Sequence, residues 1–489
     1  MLSRASILGG GCGVLGAGLC HDRDTFADRV AAWRDALRFR DARVVGVLAD
    51  NSPQWLACDL GIRAAGAVAV PLPPFFSDGQ LCHVLGAAGI DLVAAAPPDR
   101  ILALDVGFQV DGGLGDLSLL RRPPVAGIAI PPGTSKITFT SGSTGEPKGV
   151  CLDDAACMRL AATLCELLRP LGIGRHLSVL PYATLLENVA GAYAGLMAGA
   201  LVMAPPLAEL GFGGDSGFDP ERFLRCLHEH RPDSLILLPE LLKGLVVMRE
   251  FGARLPDSLT FVAVGGGKVG AGLIERARAA GIPAFEGYGL SECASVVSLN
   301  LPGAQRAGSV GRPLPHVRVR LAEDGEILVA GSAMRGYLGA ESRAPEVATG
   351  DIGEFDRDGF LYVRGRKKNQ FVTGFGRNVN PEWPESLLLQ SPVLRQAAVF
   401  GEAMPGNVAV LVPTPGMPDA AVAQAVTQVN RELPGYARIH AWLRASEPFS
   451  AANGLATANG RPRRAAIESA YGGRFGDALG EMACHASQS

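Results

Sequence analysis

No CxxC pair occurs among the ten cysteines of this 489-residue chain, which stand singly along it. That spacing argues against a disulfide framework or a zinc site and reads as reduced thiols, so a cytoplasmic protein is expected. No long run of Lys or Arg occurs either, and the net charge is only -3, so nothing points to nucleic acid. A long apolar stretch, VAGAYAGLMAGALVMA, occupies 189–204 and ends at a Pro pair. It is short for a membrane span, and a buried small-residue helix running into a strand is expected instead of an integral membrane segment. Internal repeats and low-complexity linkers are lacking, and no lysine follows Lys368.

What is present describes a large globular protein. A chain this long exceeds one core and suits two or more domains, and 48 % hydrophobic residues with a mean hydropathy of +0.20 exclude a disordered one. ARVVGVLADN (42–51) and GAVAVPLPP (66–74) read as buried strands with QWLACDLGIRAA a helix between them. The alternation continues at DSLILLPELLKGL and LTFVAVGGGKV, as expected of parallel sheets flanked by helices. After about residue 305, short strands with Asp-Gly turns at EDGE and RDGF suggest a small barrel or sheet. GCGVLG at 11–16 fits the spacing of a dinucleotide-binding turn. Too few residues precede it to form a clear strand, and neither that motif nor a secretion signal is expected.

The densest chemical signal is TFTSGSTGEPKGV at 138–150. It lacks the Gly-Lys-Ser/Thr ending of a P-loop, since Pro147 precedes Lys148 and Gly149 follows it. Its ingredients nevertheless suit a polyphosphate. Gly142, Gly145 and Gly149 let backbone N–H groups turn inward, Thr140, Ser141, Ser143 and Thr144 add uncharged donors, and Lys148 supplies one compact positive charge.

SGSTGEPKG resembles the signature loop of the adenylate-forming enzymes, which include acyl-CoA synthetases, nonribosomal peptide adenylation domains and firefly-type luciferases. Its companions follow in order: GYGLSE at 287–292 resembles the adenine and magnesium motif, TGD at 349–351 the ribose motif and GRKKN at 365–369 the interdomain hinge. GSVGRPLP (308–315) and GEILVAGSAMRGYLG (325–339) resemble the strands between them. The resemblance implies an α/β fold: a large N-terminal domain (1–366) with stacked α/β sheets and a small β-barrel-like subdomain, then a small mobile α+β C-terminal domain (367–489). The hinge is expected near 366–369, on Lys368.

The resemblance also implies a chemistry. A carboxylate attacks the α-phosphate of ATP, so negative charge accumulates and cations with aimed donors must absorb it. The triphosphate is assigned to Thr140, Ser141, Gly142, Ser143, Thr144, Gly145 and Lys148, with Thr140 and Glu292 near Mg2+. Adenine and the acyl carboxylate are assigned to the turn Gly265, Gly266, Gly267 and to Glu286, Gly287, Tyr288, Gly289, Leu290 and Ser291, and the ribose to Asp351 helped by Arg366. Glu292 also reads as a helix-start carboxylate and Asp351 as a turn cap. The expected activity is ATP-dependent formation of an acyl-adenylate with pyrophosphate release. Transfer to a thiol follows, that of CoA or of the phosphopantetheine arm of an acyl carrier protein, and TGFGRNVNPEW (373–383) resembles the loop of this second step.

The acyl side is less specific. Ala190, Gly191, Ala194 and Gly195 read equally as room for a hydrophobic chain or as close helix packing, and PYATLLEN carries Thr184 where long-chain synthetases carry histidine. No aspartate stands where an α-amine would be bound, which favours a fatty, aryl or other simple carboxylic acid. The largest departure lies in NGLATANGRPRR at 453–464, where Arg461 occupies the position of the family's catalytic lysine. Arg461 keeps the charge but changes its shape. Catalytic roles are therefore expected for Lys148, Glu292 and Arg461. Two rival readings stay open: an amine or hydroxyl acceptor on the same scaffold, or a nucleotide- or acyl-binding homologue without adenylation.

Overall fold

The computed structural model describes residues 8–479 apart from 17, 126, 142–146, 214–216, 268, 342–343, 374–377 and 458–459. Two nine-stranded sheets carry most of the chain. In the first, the order from one edge is Ala340–Glu341, Gly336–Tyr337, Pro147–Leu152, Lys136–Ser141, Val68–Pro71, Val44–Leu48, Leu92–Ala95, Leu117–Arg121 and Gln109–Leu114. The second runs Arg312–Pro313, Ser295–Leu299, Ala284–Leu290, Phe261–Val264, Ser234–Leu237, Arg175–Leu177, Leu201–Met203, Gly13–Gly16 and Leu19–Asp22.

Strand Val44–Leu48 shows why its sequence is a continuous apolar run. Val45 and Val47 belong to the large core that also includes residues of the second sheet, whereas Val44 and Leu48 face a separate core that includes Leu81, Val84 and Leu85 of helix Asp78–Ala87. Both faces are covered, so alternation of polar and apolar residues disappears. Helix Pro53–Ala65 follows as expected. The Ser52 hydroxyl accepts from the Trp55 N–H at 3.1 Å, Pro53 opens the first turn, and Gly66 closes the helix with φ 84°.

The glycine-rich start is neither a cofactor turn nor part of a helix. Gly13–Gly16 pairs antiparallel with Leu19–Asp22 and parallel with Leu201–Met203, so it completes the edge of the second sheet. The apolar stretch after residue 186 is a π-type helix, Leu186–Tyr193, continuing as α-helix Ala194–Ala198 into that same strand Leu201–Met203. At Gly191 a side chain would stand 2.3 Å from Glu187 Oε1 and 2.7 Å from His176 Nε2, which makes this glycine one of close packing. Glu187 is fully buried and accepts from the Val179 and Leu180 N–H groups and pairs with His176. Among the described residues no helix is long and apolar enough to cross a membrane.

The Asp-Gly turns lie where expected, in a four-stranded antiparallel sheet ordered Arg318–Leu321, Glu326–Ala330, Glu346–Phe355, Leu361–Arg366. Beyond the 3-10 turn Lys367–Asn369, a three-stranded sheet of Leu394–Phe400, Asn407–Pro413 and Ile439–Arg444 packs with helices Glu382–Leu388, Asp419–Glu432 and Arg464–Tyr471 around two small cores.

Candidate active site

Strands Lys136–Ser141 and Pro147–Leu152 are the two arms of the Ser/Gly-rich loop. Their antiparallel register sets Thr140 directly opposite Lys148 and Thr138 opposite Val150. Cross-strand partners share a face of the sheet, so Thr140 and the exposed Lys148 present their side chains together. Gly142, Ser143, Thr144 and Gly145 lie outside the described residues, as does the Ser141 side chain.

The end of the GEILVAGSAMRGYLG run (325–339) zips onto this arm. Tyr337 pairs with Val150 and Gly336 with Cys151, and the Leu338 N–H donates to the Gly149 carbonyl at 2.8 Å. On its other side the Met334 N–H donates to the Glu292 carbonyl at 2.8 Å, and the Tyr337 hydroxyl donates to Glu292 Oε1 at 2.9 Å. Glu292, in the 3-10 turn Ser291–Cys293, is half-buried. It therefore has a specific side-chain partner and is more than a helix-start charge. Partial burial, the Glu292 charge and this hydrogen bond push the Tyr337 phenol up to about 12.

Strand Ala284–Leu290 carries Glu286, Gly287, Tyr288, Gly289 and Leu290 to the same region. Glu286 is buried, and its carbonyl accepts from Asn300. The Tyr288 hydroxyl donates to Asp351 Oδ2 at 2.6 Å, while Arg366 Nε pairs with Asp351 Oδ1 at 2.8 Å and its Nη1 donates to the Thr349 carbonyl at 3.0 Å. Asp351 is 4 % exposed. Burial raises its pKa, with the Arg366 charge and the Tyr288 hydroxyl opposing. A buried carboxylate held by a phenol and a guanidinium does more than cap a turn.

The Gly265–Gly267 turn ends strand Phe261–Val264 and abuts the Tyr288 strand, since a side chain at Gly265 would reach within 3.5 Å of the Gly287 carbonyl. Gly266 has φ 76°, a conformation that favours glycine, and a side chain there would also displace the tip of Leu238, whose Cδ2 would lie 2.8 Å away. Arg461 reaches this turn from 195 residues away, its Nη2 donating to the Gly266 carbonyl at 2.7 Å. The residue as a whole is exposed, while its guanidinium is held at the Gly266 carbonyl within electrostatic reach of Arg366 and Asp351. Loss of water and the like charge of Arg366 lower its pKa, and Asp351 opposes them. Lys243 Nζ to the Leu389 carbonyl, at 3.4 Å, is a second contact between the same two parts of the chain.

A separate cavity of ≈ 230 Å³ opens beside Thr373 and is lined further by Gly406, Asn407, Tyr436 and His440. Lys368 lies in the turn Lys367–Asn369 between strand Leu361–Arg366 and Phe371–Val372. Neither Tyr337 nor this cavity stood out in the sequence. The only sign of Tyr337 was a phenol inside RGYLG, and its partner Glu292 lies 45 residues earlier.

Comparison with known proteins supplies the context. Residues 20–338 match the model of the AMP-binding enzyme family, and 368–475 match the AMP-binding enzyme C-terminal domain. Indoleacetate–CoA ligase of Aromatoleum aromaticum is 30 % identical over 438 residues, 79 % of this chain and 81 % of that protein. Long-chain-fatty-acid–CoA ligase FadD15 of Mycobacterium bovis is 39 % identical, but over 167 residues only, 33 % of this chain and 28 % of that one. The solved anthranilate CoA ligase AuaEII, in complex with anthranoyl-AMP, superposes with a TM-score of 0.79 over 96 % of both chains at 18 % identity, a likeness of fold. The matched models and the relative aligned over most of its length establish that the chain belongs to the adenylate-forming AMP-binding enzymes, as an acyl-CoA synthetase-like, AMP-forming member.

Proposed function

We propose that this enzyme activates a carboxylic acid with ATP and passes the acyl group to a thiol. The observation that carries the proposal is the meeting of Arg461 with the Gly266 turn, next to the Tyr288–Asp351–Arg366 cluster. A cation from the far end of the chain is thus brought to a glycine turn that a planar base and a carboxylate can approach closely. In the first step a carboxylate oxygen attacks the α-phosphorus, the new C–O–P linkage forms, and the bond to the β-phosphate breaks to release pyrophosphate. Asp351 accepts from the ribose hydroxyls, Lys148 and the Thr140 hydroxyl face the phosphates, and Arg461 balances charge gathering on the α-phosphate.

Magnesium fits this arrangement through one hard carboxylate. Mg2+ is usually held by one or two carboxylates together with substrate phosphates and water, and Glu292 is a half-buried carboxylate with one oxygen fixed by Tyr337. Glu292, with Thr140, would hold the ion, which when bound neutralises phosphate charge.

For the second step we propose a division near 366–369, the small unit 367–489 turning on Lys368. The thiol then attacks the acyl carbon and AMP leaves. The cavity beside Thr373 lies within this small unit, where the half-exposed Tyr436 ring and His440 offer stacking and a polar contact to a CoA or phosphopantetheine arm. Two expected results follow from this division. Lys368→Pro fixes a backbone torsion at the pivot, so adenylate formation and thiol transfer, assayed separately, should change unequally, and equal losses in both would place the pivot elsewhere. Tyr436→Ala should raise the KM for the thiol substrate while leaving acid-dependent pyrophosphate release unchanged, and an unchanged KM would remove this cavity from the second step.

The acid itself we infer to be a simple one without an α-amine. Two leucines, Leu186 and Leu238, crowd the Gly266 turn, and the buried Glu187, next to Leu186 in the chain, is already paired with His176 and backbone N–H groups. Mass spectrometry of products formed with CoA, carrier protein, amines and no added acceptor tests the second half of the proposal. An amide or a lactone in place of a thioester would overturn it.

A further inference from the structure

We infer that Tyr337 is a positioning residue that sets the Glu292 carboxylate toward the nucleotide's metal; this rests on the reading of Glu292 given above. Tyr337 has no place in the chemical steps, yet its placement joins the two halves of the phosphate site. Its backbone pairs with Val150, two residues from Lys148 on the same strand. Residues i and i+2 of a strand share a face, as do direct cross-strand partners. Tyr337 therefore stands on the face of Lys148 and Thr140, a diagonal neighbour of the lysine. Its hydroxyl then donates to Glu292 Oε1 at 2.9 Å, and the same short segment grips the Glu292 main chain through the Met334 N–H.

Tyr337 is 37 % exposed, so burial alone does not account for a phenol here. A donor that occupies one carboxylate oxygen from one side limits rotation of the group and leaves the other oxygen to face a cation. Groups that orient a metal ligand in this way typically change metal affinity by roughly tenfold to a hundredfold when removed.

The test uses the full chain and Mn2+, a paramagnetic ion that also favours oxygen ligands. Free Mn2+ is counted by electron paramagnetic resonance in titrations with saturating α,β-methylene-ATP. Tyr337→Phe keeps the ring and the strand and removes only the hydroxyl. It should weaken Mn2+ binding in the ternary complex by about tenfold or more, leaving metal-free binding of the analogue unchanged. Glu292→Gln should weaken Mn2+ at least as much, and the double variant should be no weaker than Glu292→Gln. Wild-type Mn2+ affinity in Tyr337→Phe beside a weak Glu292→Gln would overturn the positioning role and leave Glu292 as the metal carboxylate. Wild-type affinity in Glu292→Gln would overturn both. Additive losses in the double variant would show that Tyr337 acts elsewhere and would overturn the inference alone.

Discussion

Arg461→Ala is expected to slow acyl-adenylate formation by roughly tenfold to a thousandfold, the range for losing one electrostatic contact to a transition state, while transfer from a supplied acyl-adenylate stays nearly intact. The asymmetry is expected because Arg461 reaches the Gly266 carbonyl from the C-terminal part of the chain, which under the proposed division turns away before the thiol arrives. Arg461→Lys should retain or raise the adenylation rate. A planar guanidinium can grip one phosphate through its fork, whereas a compact ammonium can lie between a carboxylate and a phosphate oxygen. Separate assays of acid-dependent pyrophosphate release and of thioester formation from synthetic adenylate distinguish these results. Full adenylation in Arg461→Ala would mean that the first step draws its charge from residues before the proposed hinge alone.

The second large effect concerns the opposite wall. Lys148→Ala and Glu292→Gln should each leave a folded protein and slow adenylate formation by roughly tenfold to a thousandfold. Lys148 is exposed at the end of a sheet arm, where alanine removes a charge and little packing. Glu292→Gln keeps an oxygen for the Tyr337 hydroxyl. Thermal melting should therefore stay close to that of the wild type in both, and the loss should appear in pyrophosphate release. Full activity in both variants would remove the phosphate cradle from the account.

Much of the fold, and the meeting of the glycine turn with the Tyr288–Asp351–Arg366 cluster, was legible in the chain because the signals are local. The glycine turn and TGD are runs of a few residues whose types follow from backbone conformation and charge, and the strand–helix alternation from 42 to 74 depends on burial patterns within one element. The glycines at 11–16 fit a dinucleotide-binding turn in spacing alone, a reading already set aside for want of a preceding strand, and what spacing could not supply was their partner, the strand Leu201–Met203. Room for an acyl chain and close packing were indistinguishable at Gly191, since only the fold brings Glu187 and His176 against it. Tyr337 was illegible for a similar reason. Its meaning lies in the pairing with Val150 and the bond to Glu292, contacts set by sheet register and not by sequence neighbours.

The most direct measurement is pyrophosphate release from the purified enzyme with ATP and Mg2+, across a panel of fatty, aryl and other simple carboxylic acids and amino acids. Release should depend on one or more acids lacking an α-amine, with the matching acyl-adenylate found by mass spectrometry. Nucleotide binding without acid-dependent pyrophosphate from any member of the panel would contradict it and leave a protein that binds without adenylating.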